Sequence, residues 1–344
     1  MGCINERQMG KKMKVAVVGT SNGIISASYT SAIKEYFGPK NVRNLSLGAS
    51  AASFLPFRLT ENVFQEYDLV FIETLVNDAA SSRAGGFDSS DLKPLLSWVL
   101  EKGGESGCEV IGLLIPGRTQ DRHLEECYQK ARSVYLDYGV RCLDGLIELK
   151  KICEQTGKTY EELFVDAAHL DSQLCSELVY QFLSEYELSV ESNFQADLKR
   201  PEDNDFVFFS PVNKDTAKQS YHVKNSLVDV EVYSYRENSE VLINFTEEFE
   251  IWAIVLDSSN TSCFMSIEGK EILNKEFLYL EDTKMNKIIV APFVNKVRSS
   301  ERKIRLKVST ALAQKSEKTY QSKDTEARSG DLNIVGVIAK RMKF

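Results

Sequence analysis

The rhythm of apolar and polar positions changes once along the 344 residues of this chain, near position 189. Upstream of it, short apolar runs alternate with stretches in which apolar residues recur every three or four positions, as expected of strands interleaved with amphipathic helices. Val15, Ala16, Val17 and Val18 form the first run, which stops at Gly19. Small polar residues follow, then a helical pattern over 25–37 that Gly38 and Pro39 close. Further strands are predicted over 42–47, 67–73, 110–115 and 140–143. The strand over 67–73 is apolar on consecutive positions, which suits a strand covered by helices on both faces. Helices are predicted over 91–102, with Gly103 and Gly104 as the stop, over 121–138, over 148–155, and after Asp171 as N-cap, with Leu174, Leu178, Val179 and Phe182 on one side. This alternation predicts an α/β fold with a doubly wound, flavodoxin-like parallel sheet in three layers.

Downstream the period becomes two. Val228, Val230 and Val232 alternate with Asp229 and Glu231, and Ile304, Leu306 and Val308 with Arg305 and Lys307. With further strands over 240–244, 249–256, 287–290 and 333–339 and no helical pattern, an all-β sandwich is the natural expectation. The chain therefore divides into a flexible leader (1–12), an α/β domain (13–188), a polar linker containing Pro201 (189–203) and a C-terminal β-sandwich domain (204–344). The polar stretch 315–330 reads as a mobile loop, and the basic residues 340–343 as a solvated tail.

Composition narrows the function. No apolar run reaches the ~20 residues needed to span a bilayer, no basic-then-apolar leader precedes the first strand, and Glu6 breaks the myristoylation pattern after Gly2, so a cytoplasmic protein is expected. Seven scattered cysteines without a C-x-x-C pair read as reduced thiols, so no metal site and no cofactor is expected. A net charge of −8 argues against a general nucleic-acid binder. The loop 19–23 lacks the G-x-G-x-x-G spacing of a dinucleotide site.

Three loops then follow three successive strands and carry Ser21, Gly48 and Asn77. In a parallel sheet the loops at the carboxyl ends of strands share one edge, so these residues converge although far apart in sequence. Taken singly, Ser21 reads equally as a helix cap and Asn77 as a turn residue. Asp166 and His169 add a carboxylate and an imidazole three positions apart, a spacing that lets the first fix the tautomer of the second. Trp252, Tyr233 and Tyr235 stand at strand spacing and serve either as stacking faces or as core.

Taken in order, Gly19-Thr20-Ser21-Asn22, Gly48 after a strand, Leu75-Val76-Asn77-Asp78 and Asp166-Ala167-Ala168-His169 resemble the four sequence blocks of the SGNH hydrolases, or GDSL lipase/esterase superfamily. The resemblance covers residues 13–188 and departs from the pattern twice, with Thr20 where Asp is usual and Leu75 where the third block has glycine. It implies Ser21 as nucleophile, His169 as base, Asp166 as its orienting acid, and Gly48 with Asn77 as the oxyanion hole. The implied activity is hydrolysis of carbohydrate O-acyl, chiefly O-acetyl, esters on a bacterial polysaccharide, or on another small ester substrate, with the sandwich helping to hold the glycan. Two alternatives stay open at this level: an O-acetyltransferase that uses the same triad and an acetyl donor, and a non-catalytic glycan-binding or scaffold protein.

Overall fold

The computed structural model describes residues 13–185, 204–211, 216–278, 287–310, 316–317, 319 and 330–343. The expected leader 1–12 and linker 189–203 lie outside the described residues, as does nearly all of the loop 315–330.

The first half opens with β1 (Val15–Val18), the short α1 (Ser21–Ile24), α2 (Tyr29–Phe37) and β2 (Val42–Asn44). Then come α3 (Leu55–Arg58), α4 (Glu61–Glu66), β3 (Leu69–Ile72) and α5 (Leu75–Arg83). After them follow α6 (Leu92–Ser106), β4 (Glu109–Leu114), α7 (Arg122–Asp137), β5 (Cys142–Asp144), α8 (Gly145–Thr156) and α9 (Ser172–Glu185). The five strands pair in parallel in the order β2-β1-β3-β4-β5. That order reverses direction between β1 and β3, and a crevice opens at the carboxyl ends of strands at such a reversal. Val15 and Val17 face one buried layer, Ala16 and Val18 the other, so both faces of β1 are covered.

Two sequence expectations change here. The helix predicted to stop at Gly103 continues to Ser106 and ends on left-handed Gly107. Gly103 is there for close packing: a Cβ on it would lie 2.7 Å from Val110 Cγ2 and 2.9 Å from the Cys108 carbonyl. Asn77, expected in a loop, lies in the first turn of α5, whose start is buried among core side chains.

The second half contributes β6 (Phe206–Phe209), β7 (Gln219–Lys224), β8 (Asp229–Tyr235), β9 (Glu240–Asn244) and β10 (Phe249–Asp257). It continues with β11 (Ser262–Glu268), β12 (Ile272–Leu278), β13 (Ile288–Arg298), β14 (Lys303–Ser309) and β15 (Leu332–Arg341). One sheet runs β13-β10-β15-β8-β7, with β6 also on β15; the other runs β12-β11-β14-β9. Ile254, Leu256 and Ile334 of the first meet Met265, Ile267 and Leu306 of the second in a shared core, which makes the sandwich. Lys340 and Arg341 are part of β15 rather than a solvated tail; they pair with Phe206 and with Glu250 and Phe249.

The two halves share one core. Trp252, Val255, Val290 and Ile338, on the opposite face of the first sheet, pack in the same cluster as Phe54, Leu95 and Trp98 of the α/β half. The first sheet is therefore buried on both faces, which explains why β10 and β15 read as nearly unbroken apolar runs in an antiparallel sheet. Trp252, Tyr233 and Tyr235 are buried and belong to these cores, not to a stacking surface. Lys296 of β13 adds an ion pair to Asp91 at 2.6 Å and lies 4.6 Å from the Trp252 ring centroid. Among the described residues no helix is long and apolar enough to cross a membrane, and the cysteines are free thiols.

Candidate active site

β1 ends at Gly19, where a Cβ would lie 1.9 Å from the Tyr29 hydroxyl, so only glycine fits. The next residue, Thr20, is buried and caps α1, which makes Ser21 the first residue of that helix. The turn is fixed from two sides. Thr20 donates from its N–H (2.9 Å) and from Oγ1 (2.8 Å) to Glu73 Oε2 at the end of β3, where the Tyr29 hydroxyl also bonds at 3.3 Å. From the segment just after β2, Leu47 N–H donates to the Gly19 carbonyl at 2.8 Å, and Gly19 N–H donates to Ser46 Oγ at 3.0 Å. Burial pushes the Glu73 carboxyl up, against the pull of the hydrogen bonds from Thr20 and Tyr29.

His169 arrives from the loop ahead of α9. Asp166 Oδ1 accepts from the backbone N–H of Ala168 and of His169, both at 2.8 Å, and this turn places Oδ2 2.7 Å from His169 Nδ1. Partial burial acts to raise the Asp166 carboxyl, but the bonds from the His169 ring and the two amides together outweigh it, and its pKa lies below the usual carboxylate range. An ionised carboxylate only accepts, so Nδ1 carries the proton and Nε2 is left as an acceptor. Nε2 lies 2.8 Å from Ser21 Oγ, across 148 positions of sequence. The structure thus joins Ser21, His169 and Asp166 in one continuous hydrogen-bonded chain. Ser21 and His169 are half-buried and Asp166 is exposed, leaving the hydroxyl open to a ligand.

Gly48 and Asn77 come to the same sheet edge. Gly48 lies beside α1, with Ile24 Cδ1 3.6 Å from where a Cβ would be. Asn77 is buried, and its Nδ2 donates to the Ser50 carbonyl at 3.3 Å. Leu75 turns into the core, so the side chain in place of the usual glycine is absorbed by packing. A cavity of about 370 Å³ opens beside the His169 loop, lined by Val76, Ala79, Ala80, Arg83, Thr119 and Ala168 among others. Arg83 is paired with Asp121 at 2.6 Å. Among the described residues no group of three or more His, Cys, Asp or Glu side chains is placed to hold a metal ion. The other two histidines are placed elsewhere, His123 against Ser82 and His222 against Asp229.

Sequence reasoning missed Glu73 and Asp78. Asp78 Oδ1 accepts from Ala52 N–H at 2.6 Å and so anchors the loop that carries Gly48. Burial raises its pKa to about 7. The signal for Glu73 was a charged residue closing a fully buried strand; for Asp78 nothing but proximity to Asn77 pointed to it.

The sequence matches no protein-family model and no curated protein. The fold, in contrast, matches solved structures. A two-domain esterase active on acetylated mannans superposes with a TM-score of 0.56 at 12% identity, over 96% of this chain and 92% of that one. The same esterase co-crystallised with mannopentaose gives 0.55 at 12% identity, over 96% and 91%. An acetyl xylan esterase gives 0.42 at 18% identity and covers 50% of this chain and 99% of its own. The chain thus has the fold of that two-domain esterase along nearly its whole length, an α/β domain carrying a β-sandwich.

Proposed function

We propose that the protein is a serine-dependent carbohydrate O-acetyl esterase. The observation that carries this reading is the unbroken chain Ser21–His169–Asp166 at the carboxyl edge of the sheet. In this reading Ser21 Oγ attacks the ester carbonyl as its proton passes to His169 Nε2. The charge on the tetrahedral oxygen is met by the Gly48 N–H and the Asn77 amide. The sugar hydroxyl leaves with the proton held by His169, and the acetyl group stays on Ser21. Water, deprotonated by the same imidazole, then releases acetate. Asp166 holds the ring and offsets the charge of the imidazolium. An esterase of the same two-domain fold acts on acetylated mannans, which supports an acetylated polysaccharide as the substrate class.

The test is covalent labelling by a fluorophosphonate followed by peptide mass spectrometry. The label is expected on Ser21, with no label on S21A and strongly reduced labelling of H169A. S21A is expected to keep the wild-type melting temperature while losing nearly all turnover of an acetyl ester. Folded protein that stays unlabelled rejects the esterase and favours a glycan-binding scaffold. Acetyl mass gained by a glycan in the presence of an acetyl donor, rather than lost, favours a transferase.

A further inference from the structure

Ser50 is fully buried, at 0% exposure, between the two halves of the molecule, and both its hydroxyl and its carbonyl are used. Its hydroxyl donates to the Gly48 carbonyl at 3.3 Å. Its carbonyl accepts from Asn77 Nδ2, also at 3.3 Å. Its Oγ in turn accepts the backbone N–H of Val290, in β13 of the sandwich, at 3.1 Å. One residue therefore touches both residues assigned above to the oxyanion hole and the opposite domain as well: its side chain bonds Gly48 and the sandwich, and its backbone carbonyl bonds Asn77.

The supply of this N–H follows from the sheet. β13 is an edge strand, so alternate N–H groups point away from β10 and need another partner. Val290 is one of these, and Pro292, two residues on and on the same side, has no proton to leave unpaired. The loop it reaches needs holding. Ala49 sits in the left-handed region at φ 58°, which a non-glycine residue occupies only when its surroundings impose it. Ala52, on the far side of Ser50, is tied to Asp78, and Leu47 on the near side to Gly19. Between those two anchors, the middle of the loop is held by Asn77 from within the α/β half and by β13 of the sandwich.

We propose that Ser50 is a positioning residue through which edge strand β13 of the sandwich holds Gly48 and Asn77 in the geometry that receives the oxyanion. This rests on the esterase reading above. The sandwich is then part of the reaction machinery, independently of whether it touches glycan. Misplaced donors weaken transition-state binding and leave ground-state binding of a small ester almost untouched, so the effect falls on kcat.

Steady-state hydrolysis of a small acetyl ester by the full-length chain tests this, with folding checked by near-ultraviolet circular dichroism. S50A is expected to lower kcat by about tenfold or more with KM within about twofold. S50C keeps a weaker donor and acceptor at nearly the same size and is expected to fall between S50A and wild type. V290P removes the N–H from the sandwich side and is expected to lower kcat as S50A does, with S50A/V290P no worse than S50A. Folded S50A at wild-type kcat overturns the proposal. V290P at wild-type kcat overturns it too, since Ser50 would then act without the sandwich. If S50A does not fold, S50C and V290P decide by the same criteria. Wild-type protein that neither hydrolyses the ester nor takes the fluorophosphonate overturns the esterase reading and this proposal together, whereas labelled, active wild type with insensitive variants overturns only the latter.

Discussion

Asn77 and Asp78 are neighbours in sequence with different duties: in the proposed reaction the first offers a donor to the oxyanion, while the second braces the loop beside it. Asn77→Ala is expected to cost about 10² to 10³ in kcat if the amide meets the oxyanion; a loss of only a few-fold in a purified, folded variant removes it from that role. Asp78 makes a prediction about pH. Its folded-state pKa, raised by burial to about 7, lies above the ordinary carboxylate value, so the native state holds a proton that the unfolded chain has already lost. Stability from this group is therefore greatest at low pH and declines as pH rises toward 7. Asn retains an acceptor for the Ala52 N–H and carries no titrating charge. D78N is thus expected to gain on wild type, by about 2 kcal/mol, between pH 5 and pH 8 in urea-denaturation series. A pH-independent difference between the two proteins would show that Asp78 does not titrate in that window. At this scale the sequence offered Ser21, His169 and Asp166 as candidates because a serine followed the first strand and a carboxylate and an imidazole stood three positions apart ahead of the last helix of that half. It did not expose Glu73 or Ser50, whose partners are 53 and 240 positions away.

Elements were legible wherever their pattern was dictated by local packing. The first strand, the long helix after Asp121 and the alternating strand at 303–309 all follow from apolar spacing and caps. Two errors share a cause: a local signal was overruled by tertiary packing. Glycine at 103 looks like a helix stop, yet Val110 and the Cys108 carbonyl leave no room for a side chain there. Gly103→Ala separates these forces. On an exposed helix alanine gains about 1 kcal/mol over glycine. Here the clash with backbone costs about 1–3 kcal/mol, so net destabilisation is expected in thermal or chemical denaturation, and a stabilised variant would mean that α6 and β4 shift apart at little cost. Thr74, Leu75 and Val76 gave no helical signal because the turn they start is held by the core and by Asp78 rather than by propensity.

For the whole molecule, the consequence of one core spanning both halves is cooperative unfolding. Phe54 and Trp98 from one half and Trp252 and Val290 from the other are buried in the same cluster, and each large apolar side chain exposed by separation costs about 1.5–3 kcal/mol. Calorimetry on the full chain is expected to show a single transition, and the fragment 13–188 to be poorly soluble and inactive. Two resolved transitions, with an active fragment, would establish independent domains. By itself the sequence determined the class of each half and the parallel and antiparallel character of the sheets, and it named the candidate reacting groups, because burial period, caps and residue chemistry are written locally. Only the tertiary structure decided that imidazole and hydroxyl lie 2.8 Å apart, that a buried glutamate fastens the turn before Ser21, and that the sandwich braces the loop carrying Gly48. Those are contacts between segments brought together by a strand order and a shared core, and periodicity along one segment carries no information about which distant segment will cover it.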